Sequence, residues 1–297
     1  MHSDIGADDY HERERSRLSG SRRVEHDWMT DLLSTTAAPP AAPRTQPILG
    51  IPLALTDYER TLDWVDATVE SGGRGYICVA AVHTVMACQE DPELLEAVLG
   101  SDFTVPDGQP LVWALNMLGH RLRDRVYGPD LMELACERAR RTGRRMFLYG
   151  GRDSDPTALP RLEAVLLERF PGLQIAGTLQ AKFSQLSDEE SDAVAEAINE
   201  SGAEIVWVGL GVPRQEKWMA QMRERLDAPV LVGVGAAFDF HAGLVKQAPD
   251  SLQRIGMEWL FRLLQEPRRL WRRYARYNPR FVAGFLRQYS AHQRSKG

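Results

Sequence analysis

From Ile48 onward, short apolar runs alternate with stretches whose apolar residues recur at helical spacing. Tyr76–Ala81, Phe103–Val105, Arg145–Tyr149, Leu173–Ala176, Ile205–Val208 and Val230–Val234 read as strands, because each is a short apolar run closed by turn-forming residues. Helices are predicted over Tyr58–Glu70, Val85–Leu99, Pro110–Leu118, Leu131–Thr142, Leu159–Phe170, Asp188–Asn199 and Gln215–Leu226. Ser187 ahead of Asp-Glu-Glu supplies an N-cap with acids in the first turn. Strands at this spacing, several ended by glycine, predict crossover units: an α/β fold with a Rossmann-like parallel sheet covered by helices on both faces.

The ends of the chain depart from this pattern. Residues 1–46 read as a disordered tail, charged in HERERSRLSGSRR and Pro/Ala-rich in TTAAPPAAPRTQP, with one apolar patch at Trp28, Met29, Leu32 and Leu33 that suits a short docking helix. Residues 47–245 form the expected catalytic domain and 246–297 a basic helical appendage. In that appendage Leu252, Ile255, Trp259, Leu260 and Leu263 recur at helical spacing, Pro267 interrupts them, and Asn278-Pro279 is expected to break the chain before a last helix marked by Phe281, Phe285, Leu286 and Tyr289.

Composition narrows the class. With 43% hydrophobic and 26% charged residues the chain reads as globular. No uncharged stretch reaches the roughly 20 residues of a spanning helix, and residues 1–30 lack the apolar core of a secretory signal. Three cysteines without a C-x-x-C pair read as packing residues of a reduced compartment, not as a zinc site. The net charge of −5 is unevenly spread: Lys246–Gly297 carries twelve Arg and Lys against three Asp and Glu, a net of +9, which leaves −14 on the other 245 residues. Basic residues interleaved with Trp, Phe and Tyr suit a helix lying on an anionic membrane surface. A basic cap whose aromatics pack on the core accounts for the same pattern.

Chemistry concentrates at turns after strands. Gly150-Gly151, Gly209-Leu210-Gly211 and Gly233-Val234-Gly235 would gather at the carboxyl edge of the sheet, where backbone approaches a ligand closely and helix N-termini offer N–H groups to phosphate. None matches a dinucleotide fingerprint or a P-loop, and tight turns explain them equally well. Asp107, in Val-Pro-Asp-Gly, is either a carboxylate held at a loop tip for general-base work or an ordinary Asp-Gly turn. Arg125, ahead of Gly128-Pro129, could neutralise a diphosphate or sit as a solvated charge. Gln215-Glu216 at a helix start could hold sugar hydroxyls or cap the helix.

Together the ordered motifs Pro106-Asp107-Gly108, Arg125 with Gly128-Pro129-Asp130, Phe147–Gly151, Pro171–Leu173, Gly209–Glu216, Gly233–Asp239 and Glu258–Leu263 with Glu266–Arg269 resemble the WecG/TagA/CpsF glycosyltransferase family over about Ile51 to Tyr274. The resemblance implies an inverting transferase without metal or other cofactor. Its donor is a UDP-sugar carrying N-acetylmannosamine, its uronic acid or a hexose. Its acceptor is a polyprenyl-diphosphate-linked sugar at the cytoplasmic face of the cell membrane, in cell-surface polysaccharide synthesis. By the same resemblance Asp107 is the base, Arg125 and Gln215 act in the active site, and Arg262, Arg269 and Arg272 of the appendage close over donor or lipid diphosphate. Gly150, Gly151, Gly209, Gly211, Glu216, Gly235 and Asp239 are expected to line the substrate site. The family's Thr-x-Asn is absent, its two positions being Val79 and Ala81. Three readings fit that departure: His83 and Thr84 supply the lost hydrogen bonds, the acceptor differs, or the protein is an impaired relative that serves as a scaffold. A Pro-Pro-Phe common in part of the family is likewise missing around Lys182, which would favour an acidic sugar. Partners expected are donor, lipid-linked acceptor and anionic membrane; a homo-oligomer is compatible. The acidic body argues against nucleic acid.

Overall fold

Six apolar runs become strands close to where they are predicted: β3 (Gly75–Ala80), β4 (Phe103–Pro106), β5 (Arg145–Gly150), β6 (Gln174–Gln180), β7 (Ile205–Gly209) and β8 (Val230–Gly233). Two more precede them, β1 (Thr45–Ile48) and β2 (Ile51–Ala54), so regular structure starts two residues before the boundary expected at 47. This computed structural model describes residues 40–152, 154–182, 184–249, 252 and 256–295, without the side chain of Arg269. The docking helix expected near Trp28 lies outside the described residues.

The strands form one sheet in the order β1-β2-β4-β3-β8-β7-β5-β6, parallel throughout except for the β1–β2 hairpin at one edge. Side chains alternate between two apolar layers, as the strand period requires. Ile77, Val79, Met146, Leu148 and Trp207 enter one layer, and Tyr76, Cys78, Phe147, Tyr149 and Val208 the other. The first layer is covered by α1 (Tyr58–Glu70), α5 (Gly128–Thr142) and α6 (Ala158–Arg169). Packed on the second are α2 (Val82–Cys88), α3 (Pro92–Leu99), α4 (Gln109–Met117), α7 (Asp188–Ser201) and α8 (Arg214–Met222). In that layer Trp218 stacks on Tyr149 at 4.2 Å. The parallel, doubly covered sheet is the Rossmann-like arrangement predicted.

Local chemistry explains where elements depart from prediction. The single helix expected over Val85–Leu99 is two, because Asp91 caps a new helix by accepting from Leu94 N at 3.1 Å and Pro92 takes its first position. A short helix α9 (Ala237–His241) follows β8. The C-terminal segment adds α10 (Glu258–Gln265) and α11 (Pro267–Arg294), divided at Pro267. Asn278-Pro279 does not break the chain: α11 runs through it. Proline removes one backbone hydrogen bond, but α11 is anchored on both sides of it. Tyr277 donates to Glu90 at 3.1 Å, and beyond the proline Phe281 and Phe285 are buried while Gln288 reaches the hairpin.

That hairpin contact is specific. The β1–β2 turn places Leu49 and Gly50 at φ 50° and 85°, the positive values a two-residue hairpin turn requires. For Leu49 this conformation is costly. It is held by Gln288 Oε1, which accepts from Leu49 N at 2.9 Å, by Gln89 Nε2, which donates to Leu49 O at 2.9 Å, and by Gly284, where no side chain obstructs the leucine. Elsewhere, buried Arg223 ties the starts of β3 and β8 together, donating to Gly75 O (3.0 Å), Leu226 O (2.8 Å) and Ala228 O (2.6 Å).

Candidate active site

The chain passes outward from β5 to β6 but inward from β7 to β8, so a crevice opens at the carboxyl ends of β5 and β7, where open α/β sheets bind ligands. The three glycine turns meet there: Gly150 pairs with Gly209 across the two strand ends, and the β8 turn lies beside them. A cavity of about 660 Å³ is lined by Gly151, Gly209, Gly211 and Gly235 and, from the sides, by Asp107, His83, Asp239, Arg262 and Arg273. Glycine is required at 209, because a Cβ there would lie 2.4 Å from the Phe238 ring. Gly211, at φ 73°, gives the β7–α8 loop its reversal.

Asp107 stands at the head of this cavity. Its backbone N donates to Ala80 O at 2.8 Å, extending the β3–β4 ladder by one step and setting the residue at the end of a central strand. Gly128 N, at the start of α5, donates to Asp107 Oδ1 at 2.8 Å. Its other oxygen takes no hydrogen bond from any described residue. Burial pushes the carboxyl up to about 6, outweighing the opposite pull of Arg125; Glu258 raises it further. A carboxylate of that proton affinity, fixed at one oxygen and open at the other, suits a general base.

Arg125 lies beside it with its charge already met. Nη1 donates to Glu258 Oε2 at 2.6 Å, and the guanidinium lies 4.0 Å above the Tyr127 ring. Tyr127 in turn donates its hydroxyl to Glu258 Oε1 at 2.9 Å. Arg125 and Glu258 are both buried. This network joins the loop before α5 to the first turn of α10, so the C-terminal helices complete the site.

A second cavity of about 420 Å³ adjoins the first and shares Asp107, His83 and Arg262 with it. Its remaining lining is mostly apolar, with Trp113 and Met117 of α4, Trp259 of α10, and Tyr274, Phe281, Val282 and Phe285 of α11, beside the buried Arg125–Glu258 pair. Arg125 lines this cavity rather than the glycine-rich one. Trp113, Met117 and Val282 are each about half exposed, so the apolar walls reach the surface. Leu286, one turn on from Val282, is also exposed.

The remaining expected residues divide. Arg262 reaches both cavities, 5.3 Å from the Phe240 ring. Arg272 points outward over Trp271, and Arg273, one residue on, lines the first cavity instead. The Arg269 side chain lies outside the described residues. His83 lines both cavities; burial, helped by Arg273 and Arg262, pushes its imidazole down to about 3, so it is neutral at physiological pH. Thr84 faces away: it is fully buried and its hydroxyl accepts from Ala81 N at 3.3 Å, closing the start of α2. Gln215 lines the first cavity, but its amide is engaged, accepting from Gly211 N (3.1 Å) and donating to Glu216 (2.9 Å). Glu216 is buried beneath it, lines neither cavity, and is pushed up to about 7 by burial. Asp239 pairs with Arg152 at 2.6 Å across the cavity rim. Lys182 is exposed, paired with Glu190, and lines neither cavity.

Sequence reasoning gave no role to Tyr127, Arg152 or Arg273, and it named Glu258 only as the first residue of a motif. Glu258 carried a signal, being one of three acids in a segment of twelve bases, and an acid there has a reason to face inward. Arg273 carried none, since the phase of α11 is set by its anchors and not by its arginines.

The sequence profile of the glycosyl transferase WecG/TagA/CpsF family matches residues 46–295. A Bacillus spizizenii protein, an N-acetylglucosaminyldiphosphoundecaprenol N-acetyl-beta-D-mannosaminyltransferase, is 31% identical over 250 residues, covering 82% of this chain and 91% of that one. Among the described residues no helix is long and apolar enough to cross a membrane.

Proposed function

The chain belongs to the glycosyl transferase WecG/TagA/CpsF family, and from that premise we propose that it moves N-acetylmannosamine from a UDP-sugar to a hydroxyl of a polyprenyl-diphosphate-linked sugar, with inversion and without a metal ion. The observation that carries this reading is the meeting of two unlike cavities at Asp107 and Arg262, one walled by glycine backbone and guanidinium groups, the other largely by aromatic and aliphatic side chains beside the Arg125–Glu258 pair. A nucleoside diphosphate sugar fits the chemistry of the first, and a lipid-linked sugar that of the second.

In this reading the donor's diphosphate lies along the glycine turns, with Arg262 and Arg273 placed for the charge that grows on the leaving oxygen as the sugar–phosphate bond breaks. Fixed positive groups in a site shielded from water act strongly on such charge. The acceptor hydroxyl attacks the anomeric carbon from the opposite side and gives its proton to Asp107. Neutral His83, common to both cavities, is placed to hydrogen-bond a sugar hydroxyl without adding charge. The exposed apolar residues around the second mouth, with the basic residues of α11, would set that mouth against an anionic cytoplasmic membrane surface.

One feature favours a second reading. Val79 lines the first cavity and Ala81 the second, so both positions at which the family's polar pair is missing border the cavities assigned to donor and acceptor in this reading. An impaired relative acting as a scaffold in polysaccharide assembly would show this. Incubation of the purified chain with UDP-N-acetylmannosamine and a short-chain polyprenyl-diphosphate N-acetylglucosamine decides between them. Acceptor-dependent UDP release and a product heavier by one N-acetylhexosamine are expected. Donor binding without transfer, across a panel of UDP-sugars and acceptors, would select the scaffold.

A further inference from the structure

The buried contact between α10 and the loop before α5 has a role beyond packing. Asp107 is faced by charged and titratable groups from several elements: Tyr58 of α1, His83 of α2, Arg125 and Tyr127 ahead of α5, Glu258 and Arg262 of α10, and Arg273 of α11. Arg125 is the cation with the largest effect on it. Left with its full charge, a guanidinium this near would hold Asp107 as a stable carboxylate and make it a poor proton acceptor. Glu258 counters this by taking Arg125 Nη1 at 2.6 Å while fixed from its other oxygen by the Tyr127 hydroxyl at 2.9 Å.

We propose that Glu258 is a positioning residue of the transfer reaction, delivered by the C-terminal helices, which neutralises Arg125 and holds it on Tyr127 so that Asp107 keeps the basicity needed to take a proton from the acceptor. The proposal rests on the transferase reading for its purpose. Its electrostatic content can be measured without turnover.

The test is a pH titration of the full chain labelled with ¹³C at aspartate carboxyls, the Asp107 signal being assigned by its loss in Asp107→Asn. In the unsubstituted protein the midpoint is expected near 6. Glu258→Gln keeps the shape and removes the charge, so the midpoint should fall by on the order of one pH unit, and the acidic limb of kcat/KM should move down with it. Arg125→Gln combined with Glu258→Gln removes both charges, and the midpoint should return to the unsubstituted value or above. That double variant buries no unpaired charge, so it carries the test even if Glu258→Gln folds poorly. An unchanged or raised midpoint in Glu258→Gln, or a lowered one in the double variant, overturns the proposal. If the midpoints move as expected but no UDP-sugar is turned over, the transferase reading falls while the control of Asp107 by Glu258 stands. If turnover is normal and the midpoints do not move, Glu258 alone loses its role.

Discussion

Replacing Asp107 with asparagine should make the protein more stable and inactive at once, and the size of the gain follows from the site. The asparagine amide keeps an oxygen for Gly128 N and removes the buried charge. The carboxyl binds its proton until about pH 6 in the folded chain, against 3.8 for the ordinary group. Between those values the folded state holds more protons than the unfolded state, so the unsubstituted protein loses stability as pH rises through this window. Two units correspond to about 3 kcal/mol at full development, since each unit is worth about 1.36 kcal/mol, and relaxation around the site lowers the realised figure to roughly 1–3 kcal/mol. Urea denaturation of both proteins from pH 4 to pH 8 measures it. The stability difference should be near zero at pH 4, open between pH 4 and pH 6, and be constant above pH 7. Transfer activity should fall by about 10²–10⁴-fold. A pH-independent difference, or an Asp107→Asn protein less stable at pH 8, would refute the view of Asp107 as a desolvated base.

Arg262→Ala should lower kcat by about 10²-fold or more with unchanged circular dichroism, because Arg262 reaches both cavities. Arg272→Ala, directed outward, should leave kcat with a short-chain acceptor within about twofold, so equal losses in the two variants would contradict the placement of these arginines. Arg223→Lys keeps the charge but loses the fork that holds the carbonyls of Gly75, Leu226 and Ala228. It should cost roughly 2–4 kcal/mol in urea denaturation and leave KM for the donor unchanged. The protein should sediment with phosphatidylglycerol vesicles and be released by salt. Val282→Glu with Leu286→Glu should weaken that binding at least tenfold, two exposed side chains of this size being worth about 1.5–3 kcal/mol each when buried.

What the sequence discloses depends on what each segment must satisfy locally. β3, β5, β7 and β8 are buried on both faces over most of their length and so appear as short, largely apolar runs, as does β4 apart from its buried Thr104. β1 and β2 are only four residues each and carry Pro47 and Pro52, which argue against strand. They are tolerated because the two prolines face each other in an antiparallel pair at the sheet edge. Asp107 and the glycine turns are legible because a strand end followed by a turn fixes them with few residues. The Arg125–Glu258 contact spans 133 positions and depends on how α10 docks, which no local pattern encodes. The same holds for Arg272 and Arg273: both are basic residues of one amphipathic helix, and only the anchors of α11 at Glu90 and the hairpin decide which turns inward.

The clasp between Gln288 and the Leu49 turn also bears on how the protein is made. The first strand of the sheet and the last helix hold each other, and Glu258 reaches Arg125 only when α10, just ahead of that helix, is seated. A nascent chain on the ribosome can therefore assemble the central strands early, whereas the Arg125–Glu258 pair waits for α10 and the hairpin contact for Gln288 of α11. Loss of α10 and α11 would remove the hairpin contact and the partner of Arg125 together, so one C-terminal segment secures both the edge of the sheet and the surroundings of Asp107.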